Sequence, residues 1–188
     1  MDRSHWFGLT LALLFLGGCG GPAAFVDREA DLPYYERVGI LPFDSLAQDA
    51  LAGDKVASVF LTELLRRDFA QVLDPTAMSG AVTKVRGAGP NRKPWSSKEI
   101  SNVAEIAEVQ GVFVGTIRDY GMVPVGRSSY PLVSLEIRLV DATSGRIVWS
   151  ASQTRRGGPA LPLMGWREIP TLGELTAVMC RDLLETLR

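Results

Sequence analysis

Histidine is the scarcest functional residue in this chain. The only one, His5, falls in an N-terminal stretch that reads as a cleaved leader, so the mature protein has none. Without it there is no Ser-His or Cys-His nucleophile pair and no imidazole ligand for zinc or copper. Carboxylate or lysine chemistry is all that remains for an enzyme, and no metal or cofactor site is expected. Cysteine occurs only twice, at Cys19 and Cys180. An excess of either charge is missing as well: 20 Lys and Arg stand against 21 Asp and Glu, for a net charge of −1. The two signs are mixed along the chain, which leaves no electrostatic footprint for nucleic acid. The uncharged run from Trp6 to Leu16 is too short for a membrane-spanning helix, which needs about 20 apolar residues.

That run does fit a secretion signal. Arg3 supplies the positive flank, Trp6 to Leu16 the apolar region, and Gly17 and Gly18 the small residues before a cleavage site. The segment Leu16-Gly17-Gly18-Cys19 resembles the lipobox of bacterial lipoproteins, in which the cysteine is acylated and becomes the new N-terminus. Residues 1–18 are thus expected to be a signal peptide and Cys19 the lipidation site. Several acyl chains on one residue exceed the marginal membrane binding of a single chain. Gly20, rather than an aspartate, follows the cysteine. By resemblance to enterobacterial sorting rules this implies the outer membrane, with the protein on its periplasmic face. An ordinary leader would instead leave Cys19 as an exposed thiol, a liability in an oxidising compartment unless paired with Cys180. Cys180 lies on an apolar helical stripe, where cysteine acts as a small hydrophobe.

Cleavage leaves about 170 residues, the size of one domain, and 46% of the whole sequence is hydrophobic, ample for a core. Residues 19–36 read as a lipidated N-terminus and short tether, reaching at most about 60 Å when extended. The folded part is expected over 37–188. Arg37 to Phe43 is a compact apolar run typical of a strand covered on both faces. From Gly53 to Phe69, Val56, Val59, Phe60, Leu64 and Leu65 recur at helical spacing. Ala70 to Leu73 forms a short strand, and Asp74-Pro75 opens a second helix. Ser96 and Glu99 make a capping box for a third helix running to Val109, with Gly111 ending it. Val112 to Tyr120 is β-rich. Pro131 to Val140 alternates strictly and pairs, across the turn at 141–145, with a strand carrying Ile147, Trp149 and Ala151, the tryptophan facing inward. Thr171 and Glu174 cap a last helix bearing Leu175, Val178, Met179, Leu183 and Leu187. The expected fold is a single α/β domain of three-layer type. Its mixed sheet carries packed helices, in the order β-α-β-α-α-β-β-β-α.

Val38-Gly-Ile-Leu-Pro-Phe43, Phe69-Ala-Gln-Val-Leu-Asp74, Gly111-Val-Phe-Val-Gly-Thr-Ile-Arg-Asp-Tyr-Gly121 and the stretch from Ser134 to Ser150 cover most of the mature chain. Together they resemble a group of periplasmic domains: the curli secretion lipoprotein (CsgG-like) family, the N-terminal domain of TolB, and the LpoB lipoproteins that activate peptidoglycan synthases. The resemblance implies an assembly or partner-binding role without catalysis. It points to an accessory lipoprotein that oligomerises or docks on an envelope or secretion complex, with an LpoB-like activator as the alternative. A curli-type pore needs strands of roughly 9 to 11 alternating residues. The connection from Tyr120 to Pro131 reads as too short for that, and the segment from Gly157 to Pro170 does not alternate, so no pore is expected.

The remaining candidates lie in loops. Gly87-Ala88-Gly89 lacks the third glycine of a dinucleotide loop and the strand-to-helix context such a loop needs. Arg86, Arg92, Lys93 and Trp95 offer charge and stacking to a polyanionic or glycan partner, although a solvated loop explains them as well. Trp166 is either an interface anchor or a side chain packed back over the sheet edge.

Overall fold

Val133, Leu135, Ile137 and Leu139 project to one face of their strand and are all buried, between 0 and 2% exposed. The sheet they organise has seven strands. The computed structural model describes residues 21–89, 93–158 and 168–188. In chain order the strands are β1 (Ala23–Val26), β2 (Arg37–Ile40), β3 (Asp44–Ser45), β4 (Gln71–Val72), β5 (Gly111–Val125), β6 (Ser128–Asp141) and β7 (Ile147–Arg156). The helices are α1 (Ala52–Arg67), α2 (Pro75–Arg86), α3 (Ser97–Ala107) and α4 (Leu172–Glu185). Across the sheet the order is β1-β7-β6-β5-β2-β4, with β3 also pairing β5. The pairs β2/β4, β2/β5 and β3/β5 are parallel, and the others are antiparallel.

Neighbouring residues of a strand face opposite sides, and this divides the core in two. Phe113 and Ile117 of β5 join the β6 residues, Trp149 and Ala151 beneath α1 and α4, where Val56, Phe60, Leu175, Met179 and Leu183 close the layer. Their alternates Val112, Val114 and Val140 pack with Leu41 under α2 and α3, against Met78, Ala81, Ile100 and Val103. Edge-on aromatic contacts run through the first layer, from Phe60 to Phe113 at 5.1 Å between centroids and on to Trp149 at 6.1 Å. The Trp149 indole N–H donates to Thr186 Oγ1 at 3.0 Å, so this buried ring is also satisfied. The expected α/β class, mixed sheet and packed helices are all present. Both short strands with no counterpart in the expected order, β1 and β3, lie at points of tertiary capture.

β1 differs from expectation most. Ala23–Val26 lies in the stretch read as tether, yet it pairs antiparallel with β7, placing Ala23 opposite Ser152 and Val26 opposite Trp149. Asp27 fixes its far end: its N–H donates to Val148 O at 2.9 Å, and its carboxylate takes Arg146 at 2.8 Å. An unpaired edge of β7 supplies the hydrogen bonds that four residues could not secure alone. The connection expected between Tyr120 and Pro131 is not a loop. β5 and β6 continue pairing out to Val125 opposite Ser128, with a bulge between Ile117 and Asp119. The turn is Gly126-Arg127, and Gly126 takes the left-handed conformation (φ 62°). The third helix stops at Ala107, four residues before Gly111. Glu108 itself adopts the left-handed cap (φ 54°) and donates its N–H to Ala104 and Glu105 carbonyls.

Candidate interaction surfaces

Arg86 closes α2, and its guanidinium turns inward. The side chain is only 2% exposed. Nε and Nη2 donate to the two carboxylate oxygens of Glu99 at 2.9 and 3.1 Å, while Nη1 and Nη2 also reach the carbonyls of Lys93 and Pro94. The plane stacks on Trp95, with Cζ 3.4 Å from the ring centroid, and Trp95 Nε1 donates to Pro42 O. Glu99 in turn completes the capping box of α3, accepting from the Ser96 N–H and hydroxyl. Hydrogen bonds from Arg86 and then from Ser96 bring its carboxyl down to about 2. Arg86, Trp95 and Glu99 therefore act as a clamp holding the end of α2 and the following loop against the start of α3. The charge and ring of Arg86 and Trp95, read from sequence either as a partner contact or as a solvated loop, are turned onto the fold. Lys93 is exposed. Cys19, Arg92 and Trp166 lie outside the described residues.

Two further ionisable groups are shaped by burial. Cys180 is fully buried in α4, where loss of solvent, and then the nearby Glu63 carboxylate, push its thiol up to about 12. It is a packed hydrophobe and not a nucleophile, as its place on the apolar stripe implied. Tyr35 donates its hydroxyl to Asp141 Oδ2 at 3.1 Å, and burial followed by that bond raises its pKa well above the tyrosine norm. Burial works to raise Asp141, but hydrogen bonds from Ser144 and Tyr35 outweigh it and leave the carboxyl below its usual value. Among the described residues no group of three or more His, Cys, Asp or Glu is arranged to hold a metal.

Among the described residues, three open surfaces stand out for contact. A groove of about 300 Å³ runs between α1 and α2 beyond the carboxyl end of β2, lined by Leu41, Ala57, Leu61, Leu73 and Met78 with Asp54 at its rim. On the face opposite α1 and α4, paired rows across β7, β6 and β5 carry Ser150 with Arg138, then Ser152, Glu136 and Thr116. Arg118 donates to Glu136 at 2.6 Å on this face. At its margin Phe25 of β1, opposite Ser150, is 54% exposed. The third is the β5–β6 hairpin tip, where Met122 is 48% exposed. The alternation of β6 already placed Glu136 and Arg138 on the second, whereas Phe25 and the hairpin tip were missed because strand β1 and the hairpin were read as connections.

The same fold recurs in PelC. A PelC dodecamer from Paraburkholderia phytofirmans superposes with a TM-score of 0.63 at 18% identity, covering 90% of this chain and 99% of that one. Lipoprotein GNA1162 from Neisseria meningitidis gives 0.55 at 17% identity over 79% and 98% of the two chains. The LpoB C-terminal domain from Salmonella enterica aligns more loosely, at 0.49 and 14% identity over 79% and 93%. The superpositions on PelC and GNA1162 show a shared fold, and identities this low leave the role of each protein its own. No protein-family model matches the chain, and no curated protein matches it in sequence.

Proposed function

We propose that this protein is a lipid-anchored lipoprotein of the outer membrane, facing the periplasm, that works without catalysis through protein contacts in envelope assembly or secretion. The observation that carries the reading is the pairing of a lipobox-like segment ending at Cys19 with a domain of the fold found in PelC and in lipoprotein GNA1162. A dodecamer of the PelC chain is a precedent for self-assembly on this fold, and among the described residues the sheet ends in two edges, β1 and β4. β4 is two residues long, and β1 carries the exposed Phe25 on the sheet face it shares with Ser150. Edges of this kind are templates for pairing with another chain.

A role as activator of a synthase in the opposite membrane is less well supported. Only residues 20–22 separate Cys19 from β1, so the extended tether shrinks from about 60 Å to roughly 14 Å. The proposal is tested by intact mass and membrane fractionation of wild type beside Cys19→Ala, followed by crosslinking. A lipid-modified mass in the outer membrane, lost in the variant, supports it. An unmodified soluble wild-type protein refutes it. A ladder of self-crosslinked species marks the homo-oligomer, and a distinct envelope protein marks a docked accessory subunit.

A further inference from the structure

The chain leaves the sheet towards Cys19 at the same end from which the β5–β6 hairpin projects. β1 runs antiparallel to β7, so its first residue, Ala23, lies opposite Ser152 near that end. Gly21 lines a shallow cavity with Arg118, Ser134 and Thr154. Ser134 pairs with Asp119, and from Asp119 to the turn at Gly126 the strand continues for seven residues, about 23 Å at roughly 3.3 Å each. Cys19 is two residues from Gly21 and reaches no more than about 7 Å from it. Measured along the strands, the hairpin tip therefore extends some ~16 Å beyond the farthest point Cys19 can reach.

The tip joins a polar turn, Gly126 to Ser129, to an apolar β5 strand, Met122 to Val125, with no carboxylate for salt bridges. Gly157 N donates to Pro131 O at 2.8 Å, and past that point the hairpin is a two-stranded ribbon among the described residues. One face carries the pairs Met122–Pro131 and Pro124–Ser129, the other Val123–Tyr130 and Val125–Ser128. Apolar side chains thus occupy both faces, where a solvated ribbon alternates apolar and polar. Met122 and Pro124 are exposed, and Val123, Val125 and Tyr130 are half-exposed. From Tyr120 to Pro131 there is no acidic residue, and the single charge is Arg127 at the turn. Tyrosine is enriched at membrane interfaces, and a basic residue is drawn to anionic lipid.

We infer that the hairpin tip, Met122 to Tyr130, inserts into the lipid surface to which Cys19 is anchored, forming a second membrane contact that fixes the domain's orientation. This rests on the lipidation of Cys19. The two contacts differ in kind: the acyl chains supply affinity, and the ribbon restrains rotation about a tether of three residues.

The test uses the full lipidated chain in vesicles of phosphatidylethanolamine and phosphatidylglycerol, with an environment-sensitive fluorophore on Met122→Cys or, at the opposite end of the sheet, on Thr143→Cys. Buried Cys180 stays unlabelled. The expected result is a blue-shifted emission at 122 that lipids spin-labelled on their acyl chains quench, with neither effect at 143. A label at 122 as aqueous as that at 143, on protein that floats with the vesicles, overturns the insertion while leaving the anchor standing. Chain that carries no lipid and does not float removes the anchor and the inference together. A blue shift that appears without vesicles and grows with protein concentration overturns it in favour of a second copy covering the tip.

Discussion

Replacing Glu99 by glutamine isolates the clamp between α2 and α3. The substitution keeps the side-chain shape and an acceptor for the Ser96 N–H, but leaves the Arg86 guanidinium, 2% exposed, without its counter-charge. Removing one partner of a buried ion pair typically costs about 3–5 kcal/mol. Glu99 is a third exposed, and Arg86 keeps two carbonyls and the Trp95 stack, so the expected loss is nearer ~2 kcal/mol after allowing for solvent screening. For a domain of this size that lowers Tm by roughly 4–8 °C. Arg86→Met should cost less, since it removes the buried charge itself, and the double variant should be little worse than Glu99→Gln alone. The coupling is read from a double-mutant cycle by urea unfolding followed through tryptophan fluorescence. pH gives an independent arm. The carboxyl sits at about 2 in the folded chain, below its unfolded value, so its contribution is full above roughly pH 4.5 and is lost as pH falls through 2. Wild type should therefore lose its advantage over Glu99→Gln across that window. Coupling below about 0.5 kcal/mol, or an advantage independent of pH, would refute the clamp.

Two glycines in helices should respond with opposite sign. Gly80 of α2 has open space where a Cβ would stand, so Gly80→Ala should stabilise by about 0.5–1 kcal/mol. In α1 a Cβ on Gly53 would overlap the Phe43 carbonyl, and Gly53→Ala should destabilise by about 1–3 kcal/mol; equal signs in urea melts would show the close approach to be absent. Leu135, 2% exposed beneath α1 and α4, cannot carry a charge, and Leu135→Asp should abolish cooperative unfolding as followed by circular dichroism. Cys180, with its thiol pushed up to about 12 and fully buried, should resist an aromatic disulfide reagent in the native protein and react fully in denaturant. Rapid native labelling would contradict its place in the core.

The sequence disclosed the elements whose patterns are local. Strict alternation from Val133 to Leu139 located β6 and its buried face, and the box of Ser96 and Glu99 located the start of α3, because both signals lie within a few residues of chain. What stayed hidden depends on distant partners. Ala23–Val26 has no period of its own and becomes a strand only because the edge of β7 is there to receive it. Asp68 and Glu108 hold left-handed helix ends that glycine usually marks, so no residue type announced where α1 and α3 stop. The loop candidates failed to stand out for a related reason. A basic residue followed by a tryptophan looks the same in sequence whether it faces a partner or, like Arg86 on Trp95, closes upon itself.

The capture of β1 changes more than the strand count. With a long flexible leader a lipid anchor sets only how far a domain can wander, and any face can meet the membrane. Once the sheet begins at Ala23, a few residues after Cys19, position along the chain becomes direction in space. With Cys19 lipidated as proposed, the end of the sheet bearing the hairpin would be held near the bilayer. The other end, with the turn at 142–146 and the Asp27–Arg146 pair, would then point away from the membrane. The edges at β1 and β4 would then stand roughly along the membrane normal, with the polar rows across β5, β6 and β7 running parallel to the surface. Copies anchored side by side would present those edges to one another at matching height, the condition for lateral assembly of identical chains. On this view the anchor does more than retain the protein. It removes most of the orientational freedom that association would otherwise have to pay for.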